Sequence, residues 1–343
     1  MPKEKLLTFT DRGIYCLRAN LYLDPWKPVD KAIVTHGHSD HARPGSRHYI
    51  AQHDSVPILK LRLGDSPVTG IGYGEPFSIN GVTFSLHPAG HIIGSAQVRV
   101  EYKGEIWVFT GDYKTENDNL CTPYESIKCN VFISESTFAL PVYRWRPQAE
   151  VFAEINSWWR RNAEAGKTSL LLGYTLGKAQ RLFHNVDPSI GRIFGHGAIC
   201  NMHEVLRTHG IPLRPLERIT SETDRRLFPG SLVIAPPSAL SSPWVRKFYP
   251  FATGTASGWM QVRGARRRRA VDRGFVLSDH ADWPGLLAAI RDTGAERVFL
   301  THGYSAVLAR YLSEQGLDAS VVETEYKGEM DEETDTQDLP EKS

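Results

Sequence analysis

Short alternating or wholly apolar runs separated by glycine and proline turns fill the first 135 residues. Lys31-Ala32-Ile33-Val34-Thr35, Gly81-Val82-Thr83-Phe84-Ser85-Leu86 and Glu105-Ile106-Trp107-Val108-Phe109 carry β-type patterns and predict strands. From Gln148 the period changes. Val151, Ile155, Trp158 and Trp159 fall at helical spacing and predict a helix over 148–163, followed by a buried strand at Ser169-Leu170-Leu171-Leu172 and a helix over 175–183. Ile193-Phe194, Leu232-Val233-Ile234 and Phe251-Ala252-Thr253 are further strands with helical stretches between some of them, a pattern that predicts a parallel sheet covered by helices. After Asp272 the order is strand 274–277, helix 283–292, strand 297–300, helix 305–315 and a last strand at 320–322. The tail from Asp331 to Ser343 is acidic and poor in apolar residues, so it is expected to be disordered. No internal repeat interrupts this reading.

At 343 residues the chain has room for about two domains. No apolar run approaches a membrane span of ~18 residues, and the start leads into no signal region, so a cytoplasmic protein is expected. Cys16, Cys121, Cys129 and Cys200 are scattered without a C-x-x-C pair and read as buried free thiols. Charge changes the picture more. Residues 141–275 hold 21 Lys and Arg against 9 Asp and Glu, a balance of +12 that leaves −11 elsewhere in a chain of net charge +1. Eighteen of those cations are Arg, whose planar fork grips phosphate in two places, so a polyanion, and nucleic acid first, is the expected partner. Arg266-Arg267-Arg268-Arg269 is the densest cluster.

The chemistry begins where the strand at 31–35 ends. His36-Gly37-His38-Ser39-Asp40-His41 packs three imidazoles and a carboxylate into six positions, the pattern of a two-metal cradle. A turn after His38, which Gly37 and Ser39 allow, would let His36 and His38 serve one ion while Asp40 and His41 serve its neighbour. Elsewhere, apolar strands repeatedly run into a residue able to bind metal or move a proton. The strand from Val82 leads to His91, that from Glu105 to Asp112, that from Val131 to Glu135, Val276-Leu277 to His280, and Val298-Phe299-Leu300 to His302.

His36 to His41, with Pro88-Ala89-Gly90-His91 and Gly111-Asp112 downstream and Asp24 upstream, resembles the metallo-β-lactamase superfamily. Glu135 in Ser134-Glu135-Ser136-Thr137, His280 in Ser278-Asp279-His280-Ala281-Asp282 and His302 in Thr301-His302-Gly303 resemble the additional motifs of its β-CASP nucleases. The resemblance implies an αββα metallo-β-lactamase sandwich, first half 1–140 and second half 273–328, with an inserted α/β β-CASP domain at 141–272 and an acidic tail at 329–343. It implies His36, His38 and His91 on one divalent ion, Asp40, His41 and His302 on the other, Asp112 bridging them, and Asp24 orienting a ligand. An all-nitrogen-and-oxygen donor set suits zinc or manganese alike. His280 is then the expected general acid, with Glu135 orienting it.

For the substrate, Thr175-Leu176-Gly177-Lys178 opens a helix after a strand, so Lys178 is a candidate phosphate contact, as are Ser238 after the Pro236-Pro237 turn and Arg266 and Arg267. Gly254 to Trp259 has small residues that would let a backbone approach, with Trp259 expected in the core. His48, His53, His87, His184, His196, His203 and His209 receive no role. Asp24-Pro25-Trp26 and Gly173-Tyr174-Thr175-Leu176-Gly177-Lys178 are most similar to bacterial ligase-associated DNA exonucleases, which implies DNA repair and association with a DNA ligase and a helicase. His302 is typical of RNA-cleaving members, so DNA is favoured and an RNA-processing nuclease stands as the alternative. A small-molecule ester or lactam hydrolase would not need the basic segment, and a non-catalytic nucleic-acid-binding subunit would not need the full ligand set.

Overall fold

The structure, a computed structural model, describes residues 5–262 and 271–326. Arg266, Arg267 and the acidic tail lie outside the described residues. The chain is a mixed α/β protein with three sheets among those residues, and it divides into two compact units. One comprises 5–144 with 280–326, the other 145–262 with 271–279.

In the first unit, a six-stranded sheet follows chain order through Thr8–Thr10, Gly13–Cys16, Leu21–Leu23, Lys31–Ile33, His48–Gln52 and Val68–Ile71. Its last four strands are parallel. A seven-stranded sheet has the spatial order Asp318–Val321, Arg297–Gly303, Val131–Ser136, Glu105–Phe109, Ala96–Tyr102, Val82–Pro88 and Phe77–Ile79. Its first four strands are parallel. Ala96–Tyr102 is antiparallel to both neighbours, so Val82–Pro88 points the same way as the parallel set. Five strands of one sheet therefore end at a common edge.

Alternation along these strands divides their side chains between two faces. Trp107, Phe109, Ile133 and Phe299 share a core with Ile14, Leu23, Ile33 and Ile50 of the six-stranded sheet. Val108, Phe132, Val298 and Leu300 instead pack with Leu286 and Ile290 of the helix Trp283–Thr293 and Leu308 and Leu312 of the helix Ser305–Glu314. Ala32, Tyr49 and Ala51 pack with Leu59 and Leu63 of a helix at Val56–Leu63. Each fully buried side chain of this size contributes roughly 1.5–3 kcal/mol, so the strand ends rest on a firm support.

The second unit is built on a six-stranded sheet in the order Glu217–Arg218, Ile193–Gly195, Leu232–Ala235, Thr168–Leu172, Phe251–Ala256 and Arg273–Phe275, and all its ladders are parallel. The helix Gln148–Glu164 buries Val151, Phe152, Ile155, Trp158 and Trp159. The helix expected over 175–183 begins only at Lys178, because residues 175–177 form a turn whose Gly177 N–H donates to Gln180 Oε1 at 2.7 Å. The space beside Gly254 is filled by the rings of Phe275 and Trp158, so its small size serves packing and not the approach of a ligand. Trp259 is buried, and all four cysteines are buried free thiols. Among the described residues no helix is long and apolar enough to cross a membrane.

Candidate metal centre

The common edge of the seven-stranded sheet places His91 after Val82–Pro88, Asp112 after Glu105–Phe109, and Glu135 and His302 in the last residues of Val131–Ser136 and Arg297–Gly303. Asp24 follows Leu21–Leu23 and His36 follows Lys31–Ile33 in the other sheet, and Ala96 N donates to Thr35 O at 2.8 Å to tie the two sheets together there. The turn after His38 is closed by Ala42 N donating to His38 O at 2.8 Å. Gly111 has φ +54°, and a Cβ there would run into the Thr35 side chain, so the chain reaches Asp112 by a turn that glycine alone makes without strain.

Five imidazoles and two carboxylates converge. Asp112 Oδ2 lies 3.6 Å from His36 Nε2, 3.5 Å from His41 Nε2 and 3.8 Å from His91 Nε2, while Oδ1 lies 3.2 Å from His302 Nε2. His38 Nδ1 is 3.1 Å from His91 Nε2, and Asp40 Oδ2 is 3.6 Å from His41 Nε2. Two donors each about 2.0–2.1 Å from a shared tetrahedral ion stand about 3.3 Å apart, which is the spacing found here. His36, His38, His91 and Asp112 form one group able to hold an ion. His36 Nε2, His41 Nε2, His302 Nε2 and both Asp112 oxygens are buried and make no well-formed hydrogen bond among the described residues. Lone pairs left so would cost on the order of 1–3 kcal/mol each without a cation, so the donor set fits one.

Hydrogen bonds fix which nitrogen each ring offers. Asp24, buried and at φ +39°, accepts from Thr35 N at 2.7 Å, Thr35 Oγ1 at 2.6 Å and His41 Nδ1 at 2.7 Å. The Thr35 hydroxyl proton is thus spent on Asp24, so at 3.0 Å it is His36 Nδ1–H that donates to Thr35 Oγ1. Thr301 repeats the device: its hydroxyl donates to Ser134 O at 3.2 Å and receives His302 Nδ1–H at 3.3 Å. Nε2 of His36 and of His302 is therefore bare, and Nε2 is the His41 nitrogen that faces Asp40 and Asp112.

Electrostatics agree with that assignment. Burial, reinforced by His41 and His38, holds His36 well below the usual imidazole value and keeps it neutral. Burial raises the Asp112 carboxyl, but His41 and His302 outweigh it and hold Asp112 well below the carboxylate range. Burial likewise opposes ionisation of Asp40, yet His41 leads the neighbours that keep it low. His41 is held well above its ordinary value against burial by Asp40 and Asp112, so it retains a proton that a metal would displace.

Beside this cluster, Glu135 accepts from Tyr113 N at 2.8 Å and Thr137 N at 3.3 Å, and its two oxygens lie 2.8 and 2.9 Å from His280 Nδ1. The His280 ring is 4.6 Å from that of His91. Asp112, Glu135 and His280 form a second group of close donors.

The second unit differs from expectation at Lys178. Its ammonium is 2% exposed and engaged by Leu277 O at 2.9 Å and Asp279 Oδ2 at 3.0 Å. A phosphate there would have to displace Asp279, so Lys178 serves an internal ion pair. Ser238 is exposed in the short helix Pro237–Ser241. In the sequence the repeated Thr-His pairs at 35–36 and 301–302 are a signal for Thr35 and Thr301, whereas Tyr326 carries no such motif.

No protein-family model matches the chain. It is 31% identical over 313 residues to a protein of Opitutus terrae named "Probable DNA ligase", a match covering 90% of this chain and 30% of that protein. It is 30% identical over 196 residues to endoribonuclease YSH1 of Yarrowia lipolytica, covering 46% of this chain and 23% of that one. The chain resembles the β-CASP nucleases of the metallo-β-lactamase fold. It spans less than a third of the length of either relative. In shape, the chain is similar to the crystal structure of a protein of unknown function from Enterococcus faecalis V583, with TM-score 0.59 and 12% identity over 86% of this chain and 79% of that one, a likeness of fold alone.

Proposed function

We propose that the chain is a two-metal phosphodiesterase, a DNA exonuclease of the β-CASP type acting in DNA repair. The first unit would be its αββα catalytic domain, and the second the β-CASP insert that binds the substrate backbone. The observation that carries the reading is the juxtaposition of the seven-residue cluster with the buried His280–Glu135 pair.

In this reading His36, His38 and His91 would hold one ion and Asp40, His41 and His302 the other, with Asp112 serving both. Two divalent ions would supply Lewis acidity and a nucleophile active at neutral pH. The chain's residues do the rest. Glu135, fixed by two backbone amides, holds His280 Nδ1–H and stabilises the imidazolium, so proton delivery to the departing sugar oxygen falls to Nε2. Asp24 and the two threonines keep the ligand rings in the required tautomer. Arginines of the second unit, the Arg266-Arg267 pair among them, neutralise phosphates along the strand while Ser238 donates a hydrogen bond to one, so binding falls steeply with salt.

The relative named as a probable DNA ligase is the ground for reading DNA as the substrate and a ligase as a partner, while a helicase partner rests on the resemblance of the sequence motifs alone. The endoribonuclease relatives and His302 support RNA as the second reading. Incubation with end-labelled single- and double-stranded DNA and RNA, each with Mn²⁺ or Zn²⁺, separates them by product length. Mononucleotides released from DNA are expected; internal cuts in RNA alone would overturn the DNA reading.

A further inference from the structure

Beyond Asp318–Val321 the chain turns back over the ligand loop. Val322 N donates to Leu300 O at 2.8 Å. Arg43 then fastens the segment: its Nη2 donates to Glu325 O at 2.8 Å, while Nε reaches Asp40 O at 3.3 Å and Nη1 reaches Trp26 O at 3.4 Å. The next residue is Tyr326, 6% exposed. Its ring lies flat on His41, with centroids 4.5 Å apart and planes 9° apart, and meets His302 at 5.7 Å and 79°. Trp26 stands against it at 5.6 Å and 81°, and its hydroxyl donates to Asp24 O at 3.0 Å.

We infer that Tyr326 is the positioning residue for the His41–His302 pair, and that the segment 322–326 is a strap ordered together with the ion those two rings hold. The inference rests on the two-ion reading above. An in-plane hydrogen bond fixes where a ring nitrogen points but leaves the ring able to tilt about that bond. Asp24 supplies the in-plane restraint for His41, and the face of Tyr326 removes the tilt. His302 Nδ1 has the longer contact to Thr301, and the Tyr326 ring meets its imidazole at 79°, a lateral support at 5.7 Å. Because the same side chain also grips the main chain of Asp24, a shift of the strap reaches both rings and the carboxylate that orients one of them. Coupling is reciprocal: if the strap favours the ion, the ion must favour the strap.

Cobalt titration of the metal-free chain tests this, with ions per chain measured by mass spectrometry and the visible d–d bands read alongside. The wild type is expected to take two ions, Tyr326→Phe two with the same bands, and Tyr326→Leu to lose affinity for one ion about 10–100-fold with altered bands. Fewer than two ions on the wild type would overturn the two-ion reading itself. Two ions on the wild type and on Tyr326→Leu, with equal affinities and bands, would overturn the role of Tyr326 alone. Amide exchange on the wild type gives a measurement independent of the variants' folding. Loading the second ion is expected to slow exchange at 322–326, and slowing at 36–41 with none in the strap would overturn the inference.

Discussion

Each unit buries a knot of charged side chains, and the two knots are resolved in opposite ways. In the second unit Lys178, Arg181 and Asp279 answer one another: Asp279 Oδ2 takes Lys178 at 3.0 Å, Oδ1 takes Arg181 at 2.9 Å, and the remaining donors of the two cations find Leu277 O, Ser278 O and Gln148 Oε1. In the first unit the carboxylates and imidazoles around Asp112 face one another at 3.2–3.8 Å, and Nε2 of His36, His41 and His302 and both Asp112 oxygens make no well-formed hydrogen bond among the described residues. A buried cluster that closes its own hydrogen bonds is structural; one that leaves convergent lone pairs open is shaped for a ligand. Charge alone does not separate the two, whereas hydrogen-bond completeness does.

The contrast can be broken most sharply at His280. Replacement by Ala is expected to lower phosphodiester hydrolysis about 10²–10⁴-fold while metal content stays at the wild-type value. Unchanged turnover would remove His280 from the reaction, and lost metal would move it among the ligands. Asp279→Asn attacks the other knot. It leaves Lys178 and Arg181 buried without their counter-charge and should cost about 3–5 kcal/mol in urea unfolding, with cobalt stoichiometry unaltered. A loss below 1 kcal/mol would mean that water already serves those cations.

Thr35→Val is a finer cut. It removes the acceptor for His36 Nδ1–H and one donor to Asp24, and is expected to weaken metal affinity about 10–100-fold and to cost about 1–3 kcal/mol in urea unfolding. Equal affinity would show that the tautomer is set some other way. The smallest effect concerns His203 in the second unit, which donates to Arg214 O at 2.7 Å and which burial holds below the ordinary imidazole value. The folded state resists a proton that the unfolded chain accepts near pH 6.5, so this histidine makes stability fall as pH drops through that value and adds nothing to acid sensitivity once the folded group is itself protonated. His203→Gln should flatten the stability profile between pH 7.5 and 5.5; a profile as steep as the wild type's would assign the slope to other groups.

The difference between the knots also explains what the sequence could and could not disclose. The cluster at His36 to His41 was legible because its members are adjacent, and the distant members because each follows an apolar run, a local pattern whose meaning depends only on strands ending together. The helix at Val56–Leu63 was not legible: Val56, Ile58, Leu59, Leu61 and Leu63 are apolar all round, with no stripe to betray the 3.6-residue period. Lys178 at a helix start has the same sequence signature whether it meets a phosphate or an aspartate 101 positions later, and only the fold supplies Asp279. Tyr326 is harder still, because a lone aromatic after a final strand carries no motif, and its partners His41 and Asp24 lie about 300 positions away.

The co-directional strands of the seven-stranded sheet have a practical consequence. Each strand has a reacting end and, about 17 Å away for the five residues of Glu105–Phe109, an inert one. The turn at Lys103-Gly104 and the approaches at Asn130 and Glu296 sit at that inert end, around a shallow polar hollow also lined by Arg297 and Asp318. A fluorophore or surface tether attached at Lys103 would thus hold the protein by a handle, at the opposite end of these strands from the clustered imidazoles.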